Sequence, residues 1–379
     1  MAVYKLFPEQ DNTLYSMYPS MNAGIDPISQ VSNLNFAIDT SPSVARTLVQ
    51  FNTSEITDVI NNTISNKNFD VYLKKFIATA QGINEDSDLN IYPISQSWNN
   101  GTGTYLDQPI TTDGSSWNSP ILGGGDTWYP GDTVISTSSY NPNFSVQGGG
   151  NWYISSSAAS SPTQILYPYT QSFAMRSTKD LSVKVTETVH DWYSGSIYNS
   201  GFIIKWEDVI EFNTSKQIQP VMQYYSIDTN TIYPPELEFR WDDYIYATSS
   251  TINSLSGSNL FIDLDENPGQ FFPESINRFR LNVREEYPKR VFQTSSIYTT
   301  QHYLPTSSYY AIKDLDTDEY IIDFDTTYTK ISADSKTNYF DIYMNGLEPE
   351  RYYKILIQVN NGTSKQVYDN NYYFKVVKG

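Results

Sequence analysis

The sequence predicts an all-β protein: a jelly-roll-like β-sandwich carrying a long inserted loop region, followed by a smaller Greek-key β-sandwich. Three observations predict it. Apolar residues recur with a period of two in several segments, as a strand with one buried and one wet face requires. The composition favours strands and turns, with 32 Tyr and 18 Phe, and charged residues at 17%, below the roughly 25% of ordinary soluble domains. The segments that read as helices are short.

In chain order, residues 54–64 read as a helix that Ser54 could cap. Strands follow at 71–73 and 89–94. Between 181 and 189, Leu181, Val183, Val185 and Val189 share one face against Ser182, Lys184, Thr186 and Thr188, with Glu187 interrupting the apolar side. A short helix is expected at 191–193, and residues 236–243 read as the strand that closes the first sandwich. Phe279, Leu281 and Val283 alternate with Arg278, Arg280, Asn282 and Arg284, and Phe340, Ile342 and Met344 with Tyr339, Asp341 and Tyr343. Strands at 309–312, 320–324, 352–359 and 372–377 complete the second sandwich. The domain boundary is placed at about residue 255, giving domains 1–255 and 256–379, with the insert at about 99–170.

The insert has its own composition. No Lys or Arg occurs between Lys75 and Arg176. Gly, Ser and Thr dominate, the triplets Gly123-Gly124-Gly125 and Gly148-Gly149-Gly150 punctuate it, and Trp117, Trp128 and Trp152 follow Trp98. Loops of this length are often functional.

Several chemistries are excluded or disfavoured. With 24 Lys+Arg against 42 Asp+Glu the net charge is −18, so a sequence-independent nucleic-acid binder is not expected. Without cysteine there is no disulfide, cysteine-based zinc site, iron–sulfur cluster or thiol nucleophile. Two histidines, His190 and His302, leave little for a histidine metal site or a Ser-His-Asp relay. No stretch approaches the roughly 20 apolar residues of a membrane span, and the first ten residues lack the features of a signal peptide.

Three groups of residues are candidates for chemistry or contact. Asp314, Asp316, Asp318 and Asp325 have the spacing of a Ca²⁺-binding EF-hand loop, but Glu319 stands where that loop needs Gly and the flanks read as strands. An acidic hairpin turn is the expectation, with no metal or other cofactor and Ca²⁺ as the alternative. Glu187 with Asp191, and the group Glu207, Asp208 and Glu211, are the pairs a glycoside hydrolase would draw on; no catalytic residue is expected among them. Trp117, Trp128 and Trp152, with Tyr129 and Tyr153 beside two of them, fit a protein–protein interface, a sugar-stacking platform, or simple pinning of the loops to the sandwich.

Residues 10–110 carry a recognisable pattern. It runs from Asp11 through Tyr18-Pro19-Ser20-Met21-Asn22-Ala23-Gly24 to Ala45-Arg46-Thr47-Leu48-Val49-Gln50-Phe51, and closes with Ser97-Trp98-Asn99-Asn100-Gly101-Thr102-Gly103-Thr104-Tyr105 and Pro109. This resembles the DNRLRE-type jelly-roll module, a β-sandwich related to carbohydrate-binding modules. Tyr105 stands where that family often has Trp, and the long insert has no counterpart in it. The whole chain, including Glu348-Pro349-Glu350-Arg351-Tyr352-Tyr353-Lys354, also resembles virion structural proteins of tailed phages with marine or cyanobacterial hosts. The resemblances imply a non-enzymatic virion component of the tail, neck or fibre region. It would be made in the host cytoplasm and assemble as a homo- or hetero-oligomer with other virion proteins. A carbohydrate-binding adhesin that engages polysaccharide is the alternative, and a glycoside hydrolase a more distant one. Neither nucleic acid nor membrane is an expected partner.

Overall fold

The computed structural model describes residues 2–34, 43–65, 67–83, 87–121, 127–128, 136–138, 148–153, 167–174, 177–211, 220–241, 259–265, 267–273, 275–287, 302–362 and 364–378. The protein is all-β, built from antiparallel sheets with a few short helices. It divides into two compact units, one formed by Lys5–Thr63 and Asp70–Glu238, the other by Met1–Tyr4, Ile64–Phe69 and Phe239–Gly379. The boundary expected near residue 255 lies outside the described residues.

In the first unit, one sheet runs in the order Tyr169–Phe173, Ser87–Pro93, Phe202–Trp206, Ser43–Gln50, Ile28–Leu34, Val221–Tyr225 and Ile77–Gln81. Gln10–Tyr15 joins it by pairing with Ser43–Gln50. Ser43–Gln50 is the central strand. Gln10–Tyr15 lies along nearly all of one edge, while the other edge is shared by Phe202–Trp206 at residues 47–49 and Ile28–Leu34 at residues 43–45. A strand with one wet face alternates in burial, but this one is buried without a break from Val44 to Val49, and Phe202–Trp206 is buried at every position. Both of its faces are therefore covered. Val44, Arg46 and Leu48 share one face, Ala45, Thr47 and Val49 the other. Leu181–Lys184 pairs antiparallel with residues 72–75 and keeps the alternation, Leu181 and Val183 being buried and Ser182 and Lys184 exposed.

Two local expectations are corrected. The alternation read over 181–189 stops at Lys184, and Thr186–Ser194 is an α-helix. Val185, Val189 and Trp192 are buried with Thr188, a helical spacing that outweighs the period of two once Glu187 has broken it. Gly195, at φ 74°, ends the helix in the left-handed conformation that glycine adopts most easily. The helix expected at 191–193 is its last part. The helix expected at 54–64 is present as Thr53–Asp58, widening into a π-type turn at Val59–Ile64, but Asn52 caps it rather than Ser54. Asn52 Oδ1 accepts the Ser54 and Glu55 amides at 2.8 and 3.4 Å. Asn52→Ala is expected to lower stability by about 1 kcal/mol, read from the urea midpoint.

The second unit holds two sheets. One is ordered Leu260–Asp265, Ile276–Glu285, Asn338–Tyr343 and Ser332–Ala333; the other Gln270–Phe271, Lys365–Val376, Tyr352–Asn360, Ser308–Asp314 and Tyr320–Ile322. The alternation at 279–283 and 340–344 points its apolar residues into one core with Tyr310, Tyr353 and Phe374. Phe340 stacks on Tyr310 at 4.3 Å and on Phe279 at 5.5 Å between ring centroids. Such offset aromatic pairs add about 0.5–1.5 kcal/mol to burial alone. The face expected to be wet on Asn338–Tyr343 is covered, Tyr339 and Asp341 both being buried: Asp341 takes a two-point contact from Arg278 at 2.8 and 2.9 Å, and that guanidinium lies 4.1 Å over the Tyr339 ring.

Candidate functional site

The most heavily built polar site lies on the Val44–Arg46–Leu48 face of the first unit's large sheet. Arg46 is fully buried. Its Nε and Nη2 donate to the two oxygens of Glu211 at 2.7 and 3.0 Å, and its Nη1 to the Gly149 carbonyl at 2.7 Å. Lys205, on Phe202–Trp206, reaches Glu211 at 2.9 Å and Asp208 at 2.6 Å. Removing these charges from water is expensive, and paired geometry with further hydrogen bonds is what makes it tolerable.

The aromatic residues of the insert complete the enclosure. Arg46 lies 4.7 Å from the Trp117 ring centre and 5.5 Å from that of Trp152, and Lys205 Nζ lies 5.8 Å from Trp152. Tyr92 packs on Trp152 at 5.4 Å. Its hydroxyl pKa is pushed up to about 12 by burial and by the carboxylates of Asp208 and Glu211. Trp98, Trp117, Trp128 and Trp152 form one apolar cluster with Leu14, Val44, Leu48, Ile94 and Ile203. Gly149 fits because it has no side chain: at φ 80°, a Cβ there would stand 2.7 Å from Arg46 Nη1 and from the edge of Trp117. The cation-free insert now has a physical reason. It covers a sheet face where Arg46 and Lys205 are already matched by Glu211 and Asp208, so a further cation buried there would have no free anion to pair with.

Insert and sheet are also stitched through amides. Asn12 Nδ2 donates to the Ser115 hydroxyl and carbonyl at 2.6 and 2.9 Å. Asn22 Nδ2 donates to the carbonyls of Asn100 and Ser115, and its Oδ1 accepts the Gly24 and Gly103 amides. The quoted segments 18–24 and 97–105 thus meet through Asn22.

The residues nominated for contact therefore sit otherwise than an exposed platform requires. Trp117, Trp128 and Trp152 are 3%, 4% and 5% exposed, and the face they cover is the protein's own. Tyr153 is half-buried, and Tyr129 lies outside the described residues. Of the three readings weighed for these tryptophans, pinning the loops is the one their burial matches. Composition could not reveal this, because a tryptophan in a Gly/Ser-rich stretch looks the same whether it faces water or an arginine.

Of the acidic run at 314–325, residues 315–319 form the turn of a hairpin between Ser308–Asp314 and Tyr320–Ile322, and Asp325 lies beyond its second strand. Asp314 accepts from Arg351 at 2.6 Å and from the Asp316 and Thr317 amides, and Arg351 with these amides holds its carboxyl below the usual range against the effect of burial. Asp318 pairs with Lys313, and Asp325 accepts the Thr327 and Tyr328 amides. Among the described residues no three His, Asp or Glu side chains converge as a metal site would. Glu187 and Asp191 lie one turn apart on their helix; burial raises the Asp191 pKa and Glu187 raises it further. Of the other acidic group, Glu211 and Asp208 are engaged with cations, and Glu207 is raised by burial and by Asp88.

A second buried pair escaped the sequence reading. Lys75, fully buried, has its ammonium 3.8 Å from Asp11 and within hydrogen-bonding distance of no described acceptor. Among the described residues Asp11 accepts in addition only the Ile227 amide, at 3.2 Å. Burial pushes the Asp11 carboxyl up to about 6 and the Lys75 ammonium down to about 8. The signal was present: Lys75 shares a strand face with Val71 and Leu73, both apolar and buried.

No family model, curated protein or solved structure matches the chain.

Proposed function

We propose that this protein is a non-enzymatic structural component of a bacteriophage virion, placed in the tail, neck or fibre region, where it packs against other virion proteins. The observation that supports this reading is how the buried charges and rings are used. Arg46, Lys205 and Glu211 hold one another and the insert's tryptophans, an arrangement suited to fixing a shape. The resemblance of the chain to tailed-phage virion proteins points the same way. Fold alone carries no function, so the test is direct. Mass spectrometry of purified particles is expected to find this chain at a fixed ratio to the other structural proteins; its absence from the particles would overturn the proposal. The burial of Trp117, Trp128 and Trp152 takes these rings out of a partner interface and out of a sugar-stacking platform alike, so neither the virion nor the adhesin reading rests on them.

A further inference from the structure

We propose that the turn at residues 104–107 is a docking finger for another protein, one that presents an apolar socket ringed by lysine or arginine. This goes beyond the virion reading and does not depend on it.

The turn is rigid. The Asp107 amide donates to the Thr104 carbonyl at 3.3 Å, and the Asp107 carboxylate accepts the Thr104 amide at 2.8 Å and the Thr104 hydroxyl. Its base is tied to the neighbouring segment by Tyr105 N to Asp26 Oδ2 at 2.9 Å, Ile25 N to the Gly103 carbonyl at 3.0 Å, and Gly103 N to Asn22 Oδ1 at 2.8 Å. The Tyr105 ring leans on Tyr15 at 4.8 Å and Tyr18 at 6.2 Å.

What this frame displays is apolar and strained. Leu106 has φ 59°, a conformation that costs an L-residue about 1–2 kcal/mol and that turns of this shape usually assign to Gly or Asn. Full burial could offset that cost, but Leu106 is 40% and Tyr105 46% exposed. Met17, Ile25 and Ile110, on the same two segments, are exposed as well. Strain retained where folding does not need it points to a contact made outside the molecule.

Charge selects the occupant. Asp26, Asp107 and Asp113 border the finger, and hydrogen bonds from Thr104 and Thr102 hold the last two carboxyls below the usual range. No Lys or Arg occurs from 76 to 175 to balance them. A second copy would bring like charge to like charge, whereas a basic-ringed apolar socket complements both features.

The test uses the isolated protein, a helical leucine–lysine peptide as probe and a leucine–glutamate peptide as control, with carbodiimide cross-links mapped by mass spectrometry. Cross-links to the lysine peptide are expected to concentrate on Asp26, Asp107 and Asp113. They should fall at least about tenfold, roughly 1.4 kcal/mol, in Leu106→Asn and in Tyr105→Ser. Leu106→Asn should melt no lower than the parent. Cross-links spread evenly over the chain's carboxylates or unchanged in both variants would overturn the proposal. So would a marked loss of melting temperature in Leu106→Asn, links between copies at this turn, or protection of Tyr105 by a neutral oligosaccharide in place of the peptide.

Discussion

Arg46→Met is expected to destabilise the first unit by about 3–5 kcal/mol, the range found when one partner of a buried ion pair is removed. The change leaves Glu211 buried with one cation in place of two and removes the donor that holds the Gly149 carbonyl. It also takes the cation from beneath Trp117. Glu211→Gln should cost a similar amount, because Arg46 and Lys205 would then face each other without an anion between them. The double variant Arg46→Met/Glu211→Gln should recover part of the loss, since the two residues act as one unit. Equilibrium urea unfolding of the four proteins measures this coupling, and strictly additive losses would show that the pair does not function as described.

The second large effect concerns Asp11 and Lys75. Asp11 binds its proton more tightly in the folded chain, about 6 against 3.8, so its ionisation removes stability as pH rises from about 4 through 6. Lys75 binds its proton less tightly when folded, about 8 against 10.5, so stability is regained as pH rises from 8 toward 10.5. Between 6 and 8 both groups are charged and their contribution is at its least favourable. Asp26 and Asp228, the other charges bearing on Asp11, add to the cost of ionising it. Asp11→Asn/Lys75→Met is therefore expected to be more stable than the parent at pH 7 by about 1–4 kcal/mol and to flatten the pH profile. Lys75→Met alone should be less stable at that pH, because the carboxylate loses its cation. Urea midpoints from pH 5 to 10 check both; a double variant with the parent's pH profile would contradict the assignment.

Much of the fold was legible in the sequence because strands advertise themselves by alternation. Phe279, Leu281 and Val283 alternate in burial as read, and so do Leu181 and Val183. The reading failed where a local signal changed period, as between Lys184 and Thr186, where a strand gives way to a helix. It was silent where both faces of a strand are covered, as in Ser43–Gln50 and Phe202–Trp206. Arg46 shares a face with the apolar Val44 and Leu48, and only the tertiary arrangement shows that tryptophans of the insert lie over it. The candidate site was thus present piecemeal: Arg46 in a quoted motif, Glu211 in an acidic group and the tryptophans in the insert. Gly149 stood out only as part of a glycine triplet and Lys205 not at all, because convergence from separate segments has no sequence spacing.

The central claim is that Arg46 and the insert's tryptophans hold residues 97–121 and 148–153 against the large sheet. Hydrogen–deuterium exchange of the parent and Arg46→Met, compared peptide by peptide, tests it most directly. The claim predicts that amides of residues 97–121 and 148–153 exchange much faster in the variant while those of Ile276–Glu285 and Tyr352–Asn360 keep the parent's rates. Unchanged protection of the insert, in a variant that folds, would contradict it.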